Sequence, residues 1–235
     1  MLGSLLQRLA AWHGYFSQMS RYYGAQIRGG GSAVKLSLDA EYPSLPKDSL
    51  DILVCFDWEK YLEFEHELEL ETDSVVFFEN APLTGINLPE NSFQVDFSKK
   101  SREVTGSALN KNIVALGGLL GILALAEDQV KKAIEEDEEL KLLQENLSAL
   151  EAGKHLFSDF SFPELRLSPA QDKGTKLILH GSAAMARAAI SAGCRVFFSY
   201  PITPAAEIMQ EMQKELSWRR GVFLQSEDEI AAAGL

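Results

Sequence analysis

Apolar positions change their period several times along the chain. Leu5, Leu6, Leu9, Ala10 and Trp12 recur at helical spacing, which predicts a helix over residues 3–13. Residues 33–38 (Ala-Val-Lys-Leu-Ser-Leu) alternate with period two and read as a half-buried strand. Two short apolar runs follow at 52–56 and 74–78. Both are rich in β-branched and aromatic residues, which suits strands buried on both faces. A further strand is predicted over 93–97. Residues 108–126 are apolar nearly all round and predict an internal helix. Gly117 and Gly118 lower its helix propensity, and the expected return is close packing against another backbone. Residues 129–150 predict one amphipathic helix, with Val130, Ile134, Leu140, Leu143, Leu147 and Leu150 on roughly one side. Its EEDEELK charge run reads as a solvated face.

The pattern breaks at 157–176, where two prolines and scattered polar residues carry no helical period, as in an interdomain linker. It then restarts. Strands are predicted at 177–179, 196–198 and 222–224, helices over 181–192 and 204–216, and another helix opening at Glu229. Alternation of this kind means a parallel sheet with right-handed crossovers, and ligands of such sheets sit beyond the carboxyl ends of the strands. The segments to inspect are therefore 200–204 and 225–229.

Charge and composition narrow the function. A net charge of −12 argues against a nucleic-acid partner, because phosphate binding needs clustered Lys and Arg. The two cysteines, Cys55 and Cys194, sit inside apolar runs and read as buried reduced thiols. They are too few for an iron–sulfur cluster and give no support to a disulfide scaffold. The N-terminus has no basic start and no long apolar core, and the longest apolar run, 113–126, is shorter than the ~20 residues a membrane span takes. A cytoplasmic protein with no membrane partner is expected.

Both inspected segments carry chemistry. Tyr200-Pro201-Ile202-Thr203-Pro204 is a rigid turn that presents one hydroxyl, Thr203, at a strand end. Pro204 suits the first turn of the next helix. Gln225-Ser226-Glu227-Asp228-Glu229-Ile230-Ala231-Ala232 puts a carboxylate, Glu229, at a helix start, where the helix dipole favours it. Taken alone, Thr203 could cap a helix and Glu229 could be an ordinary first-turn glutamate. The two motifs together, roughly 25 residues apart, resemble the pyrimidine-binding domain of the 2-oxoacid:ferredoxin oxidoreductases. The resemblance implies that Thr203 lies beside the 2-oxoacid substrate and that Glu229 hydrogen-bonds the aminopyrimidine ring of thiamine diphosphate. Glu227 is the alternative for that glutamate, and Tyr200, Pro201 and Ile202 fall in the cofactor-binding turn. A carboxyl group bonded to the pyrimidine ring favours the tautomer that takes the thiazolium proton, and a positioned acid–base group is worth about 10²–10⁴ in rate.

The first half adds to the resemblance. Residues 19–30, from Met19-Ser20-Arg21-Tyr22-Tyr23-Gly24 to Arg28-Gly29-Gly30, resemble the gamma domain of the same enzymes, as do residues 108–117 and Asn146. By itself, the Arg28-Gly29-Gly30 loop could be an anion-binding or interface loop, or a plain tight turn. The implied fold is α/β: a gamma-type domain over 1–156 whose first strand is missing, a linker over 157–175, and over 176–235 the start of a parallel-sheet thiamine-diphosphate-binding (pyrimidine) domain. Gly181-Ser182-Ala183-Ala184 stands where the family tends to have Gly-Asn-Glu-Ala, which puts any contact there in doubt.

The implied protein is the alpha subunit of a 2-oxoacid:ferredoxin oxidoreductase, most closely of the 2-oxoglutarate type. It would decarboxylate a 2-oxoacid oxidatively to an acyl-CoA, with coenzyme A as cosubstrate and electrons passed to ferredoxin. Mg²⁺ and 4Fe-4S clusters are expected in a beta subunit, in an alpha–beta hetero-oligomer, and this chain alone is expected to be inactive. The alternative is a non-catalytic docking or regulatory module of such a complex. An ordinary nucleotide-binding protein would instead show a G-x-G-x-x-G loop, which the sequence lacks.

Overall fold

The computed structural model describes residues 1–24, 30–42, 47–137, 140 and 142–235, in two compact units, Met1–Lys176 and Leu177–Leu235.

The first unit opens with α1 (Leu2–Trp12), whose apolar stripe buries Leu5, Leu9 and Ala10 completely. At Gly14 the chain takes φ +89°, a left-handed conformation that favours glycine, and the Asp172 carbonyl lies where a Cβ would stand. The antiparallel hairpin β1 (Phe16–Tyr23) and β2 (Ser32–Asp39) follows, in register from Phe16↔Asp39 to Tyr23↔Ser32. A separate parallel sheet has the order β3-β4-β5, from β3 (Ser49–Cys55), β4 (Glu69–Phe78) and β5 (Ser92–Gln94). The short α2 (Trp58–Leu62) leaves β3 under a cap by Asp57, which accepts from the N–H groups of Glu59 and Lys60.

Four helices complete the unit: α3 (Phe97–Thr105), α4 (Lys111–Leu123), α5 (Val130–Glu135) and α6 (Leu143–Phe157). Their buried faces join Val75 and Phe77 of β4 in the main core. Helices α4 and α6 pack backbone to backbone: a Cβ on Gly117 would fall 2.1 Å from the Leu150 carbonyl oxygen, and one on Gly153 would fall 1.9 Å from that of Val114. Gly118 faces the Phe157 ring instead. At the carboxyl end of β4, Glu79 is buried; it accepts from the Ser98 N–H and pairs with Lys111 Nζ at 2.9 Å, and that ammonium lies over the Phe56 ring. Residues beyond α6 pack on this same core through Phe160, Phe162, Leu165 and Leu167, and the Leu167 N–H bonds the Leu123 carbonyl.

The second unit runs α7 (Gly181–Ser191), β6 (Val196–Ser199), α8 (Ala205–Trp218), β7 (Val222–Gln225) and α9 (Glu229–Gly234). β6 and β7 are parallel, paired from Val196↔Val222 to Ser199↔Gln225. Helices α7 and α8 bury Ala186, Ile190, Met212 and Leu216 against Phe197 and Phe223. The alternate strand residues are uncovered: Val196 is 49% and Val222 52% exposed.

Several expectations change. Residues 16–23 form a strand that the sequence reading left out, because their polar side chains hide the period. The strand at 93–97 stops at Gln94, since Asp96 caps α3 by accepting from the Lys99 N–H. The helix over 129–150 is instead two helices, α5 and α6. Consecutive acids from Glu135 onward would crowd like charges at the negative end of the helix dipole. Residues 177–179 join no ladder. Three residues are too few to hold a strand without a pairing neighbour, and Leu177, Ile178 and Leu179 are exposed.

Candidate functional site

The pairing of β6 with β7 brings two segments to one sheet edge. Ser199 and Gln225 end their strands side by side, and the Ser226 N–H continues the ladder to the Ser199 carbonyl at 2.9 Å. The chain then leaves β6 through 200–204 and β7 through 226–228. Both exits are therefore at the carboxyl edge of the sheet.

In the first exit Tyr200 is half-buried, while Pro201, Ile202, Thr203 and Pro204 are exposed. The Thr203–Pro204 peptide bond is cis. The Ala206 N–H bonds the Ile202 carbonyl at 2.8 Å, which closes the turn into α8. Thr203 does not cap α8. The N-cap position falls on Pro204, and the Thr203 hydroxyl has no protein partner among the described residues.

In the second exit three acids take different parts. Asp228 is the N-cap of α9, accepting from the Ala231 N–H at 2.7 Å. Glu229 is the first helical residue, and both it and Glu227 are exposed. Neither has an ion-pair partner among the described residues. Ser226 is the member of this group that the sequence reading passed over. It is only 6% exposed, and its hydroxyl is buried without a hydrogen-bond partner among the described residues. Alternation gave no signal for it: Ser226 has the parity of Val222 and Leu224, which are exposed, yet it is buried.

The start of α7 is held by its own contacts. His180 Nδ1 accepts from the Ala183 N–H, and Ser182 Oγ donates to Glu207 at 3.0 Å. Of the loop singled out in the first unit, Arg28 and Gly29 lie outside the described residues, and Gly30 is half-buried. Beside it the Gly24 N–H bonds the Gly31 carbonyl, and the Gly31 N–H donates to Glu63 at 2.9 Å. The Lys60 ammonium, and after it that N–H, holds the Glu63 carboxyl below the usual carboxylate range. A cleft of about 650 Å³ is lined there by Arg21, Tyr22, Tyr23, Gly24, Glu63, Phe64 and Glu67. A second cleft of about 490 Å³ borders Tyr61, Glu65, His66 and Ile86. Neither is lined by Thr203 or Glu229.

Among the described residues no group of three or more His, Cys, Asp and Glu could hold a metal ion, and no helix is long and apolar enough to cross a membrane.

Known proteins match both units. Residues 1–156 match the family described as pyruvate ferredoxin/flavodoxin oxidoreductase, and residues 187–235 match pyruvate flavodoxin/ferredoxin oxidoreductase, thiamine diphosphate-binding. The 2-oxoglutarate synthase subunit KorA of Methanothermobacter marburgensis is 57% identical over 56 residues, 24% of this chain and 15% of its own length. The KorA subunit of Methanocaldococcus jannaschii is 48% identical over 54 residues, 23% of this chain and 15% of its own. The match thus spans about 15% of the length of these curated relatives. In fold, the chain is similar to 2-oxoglutarate:ferredoxin oxidoreductase from Magnetococcus marinus, a structure with 2-oxoglutarate, coenzyme A and succinyl-CoA bound. The TM-score is 0.81 at 23% identity, covering 99% of this chain and 42% of that one. The gamma subunit of a keto/oxoacid ferredoxin oxidoreductase from Geobacter sulfurreducens aligns with 68% of this chain and 90% of its own, at TM-score 0.51 and 18% identity. With the first family matching well over half of the 235 residues and the second matching the unit that carries Thr203 and Glu229, the chain belongs to the pyruvate ferredoxin/flavodoxin oxidoreductase family.

Proposed function

We propose that the chain is a subunit of a 2-oxoacid:ferredoxin oxidoreductase that decarboxylates 2-oxoglutarate oxidatively to an acyl-CoA and CO2. The observation that carries the reading is the shared sheet edge: parallel β6 and β7 deliver the Thr203 turn and the Glu229 helix start to one side. The named relatives support 2-oxoglutarate as the 2-oxoacid. In this reading residues 1–156 are the gamma-type domain, 157–175 the linker, and 176–235 the pyrimidine-binding domain.

The residues at the edge fit an aminopyrimidine ring. Two carboxylates without ion pairs, Glu227 and Glu229, can accept from ring nitrogens, and the exposed Ile202 offers apolar surface. Thiamine diphosphate, when bound, supplies an acidic ring carbon that attacks the 2-oxo group. Glu229 would hold the pyrimidine ring and move a proton at its ring nitrogen. Tyr200, Pro201 and Ile202 would bound the cofactor. The Thr203 hydroxyl, free of any capping bond, would orient the 2-oxoacid. Arg28, Gly29 and Gly30 would serve as an anion or interface loop of the first unit. We assign Mg²⁺, the 4Fe-4S clusters and the ferredoxin contact to a beta subunit, with coenzyme A as cosubstrate.

The test is reduction of a viologen dye by the assembled complex, dependent on 2-oxoglutarate and thiamine diphosphate, for wild type and Glu229→Gln. Loss of turnover in the variant, with the complex intact, is expected. Equal activity would move the role to Glu227. No turnover with any 2-oxoacid would favour a docking or regulatory module, a reading supported by the small residues Gly181-Ser182-Ala183-Ala184 at the start of α7.

A further inference from the structure

Three other serine hydroxyls of the second unit find partners, and a fourth, Ser191, is exposed. Ser182 donates to Glu207, Ser199 to the Tyr200 carbonyl and Ser217 to the Gln213 carbonyl. Ser226 alone among the described residues keeps a buried side-chain oxygen with no bond. The Thr203 hydroxyl is also free of protein partners, but Thr203 is exposed and water satisfies it. Ser226 has no such relief. A buried hydroxyl left unpaired is destabilising, and folded proteins rarely keep one without a reason. Its position supplies the reason. Its N–H locks the end of β7 to Ser199, and in the chain it stands directly between that ladder and the acids Glu227, Asp228 and Glu229.

We propose that Ser226 is a binding residue of this site: its hydroxyl is unpaired in the free chain and becomes paired when thiamine diphosphate fills the edge formed by the Thr203 turn and the Glu229 helix start. The inference rests on the proposed function and adds to it a third polar group, buried next to the exposed carboxylates in the chain. Binding and the relief of a buried orphan are then one event, which makes the site slightly unstable when empty.

This arrangement has a signature that a structural serine lacks. Ser226→Ala removes the orphan, so the cofactor-free protein should melt about 2 °C higher. The same substitution removes a bond made only in the filled site, so affinity for thiamine diphosphate with Mg²⁺ should fall about tenfold. The two effects have opposite signs. The experiment measures both quantities on the assembled complex, calorimetric titration and thermal melting, for wild type, Ser226→Ala and Glu229→Gln. A higher melting temperature with weaker binding supports the proposal. A lower melting temperature shows that the hydroxyl already has a partner when the site is empty, and overturns it. Unchanged binding by Ser226→Ala overturns it too, while weakened binding by Glu229→Gln in the same series leaves the proposed function standing. If wild type does not bind the cofactor, the proposed function fails and this inference fails with it.

Discussion

Asn110 Nδ2 donates to Asn146 Oδ1 at 2.7 Å, joining the residue before α4 to the first turn of α6 across 36 residues of sequence. Asn146 is 2% exposed, so the bond is shielded from water on one side. Asn146→Ala should destabilise the first unit by about 1–3 kcal/mol, because the Asn110 amide loses its buried partner. Adding Asn110→Ala should cost less than the sum of the two single changes. Urea unfolding followed by emission of the buried Trp58 gives both numbers, and strict additivity would show that the bond does not couple the helices.

Glycines in α4 and α6 divide by what lies beyond them. Gly153→Ala should cost about 3 kcal/mol or more, since the new methyl meets the Val114 carbonyl and two backbones must separate. Gly121 has open space where its Cβ would be, inside the same α4. Gly121→Ala should therefore stabilise by about 0.5–1 kcal/mol through helix propensity alone. Melting curves of the two variants should move in opposite directions.

The acids of the second exit should separate by role. Asp228→Ala removes the cap of α9 and should cost about 1 kcal/mol of helix stability. Glu227→Gln should leave cofactor binding near the wild-type value, whereas Glu229→Gln should weaken it at least tenfold. Calorimetric titration of the complex with thiamine diphosphate distinguishes them, and the reverse order would exchange the two glutamates.

The Cys55 thiol is pushed up to about 11, chiefly by burial. The folded chain therefore keeps a proton that the unfolded chain has lost. The resulting stability is complete below the ordinary thiol range, about pH 8.5, and is lost as pH rises through about 11. Urea midpoints of wild type should fall over that window, and those of Cys55→Val should fall less. At pH 8 iodoacetamide should spare Cys55 until the protein is unfolded.

The motifs were legible because each is local. Tyr200 to Pro204 and Gln225 to Glu229 are contiguous, and alternation of strands and helices was enough to place both at one edge. Buried runs such as 52–56 and 74–78 were equally plain, since strands covered on both faces need no alternation. What stayed hidden depends on distant partners. The strand from Phe16 to Tyr23 is held by Ser32–Asp39 and carries too many polar residues to show a period. Glu79 reads as one more acid until Lys111 and Ser98 are found against it. Ser226 reads as a polar residue in a loop, and only its enclosure makes it unusual.

On the β6–β7 sheet Val196, Val222 and Leu224 are exposed, and the second unit buries only six apolar side chains, Ala183, Ala186, Ile190, Met209, Met212 and Leu216. So few contacts cannot offset much chain entropy. Whatever packs on Val196, Val222 and Leu224 is thermodynamically a ligand of the folded form. The melting point of this unit should then shift with the concentration of that partner, as mass action requires, and folding and assembly become a single equilibrium.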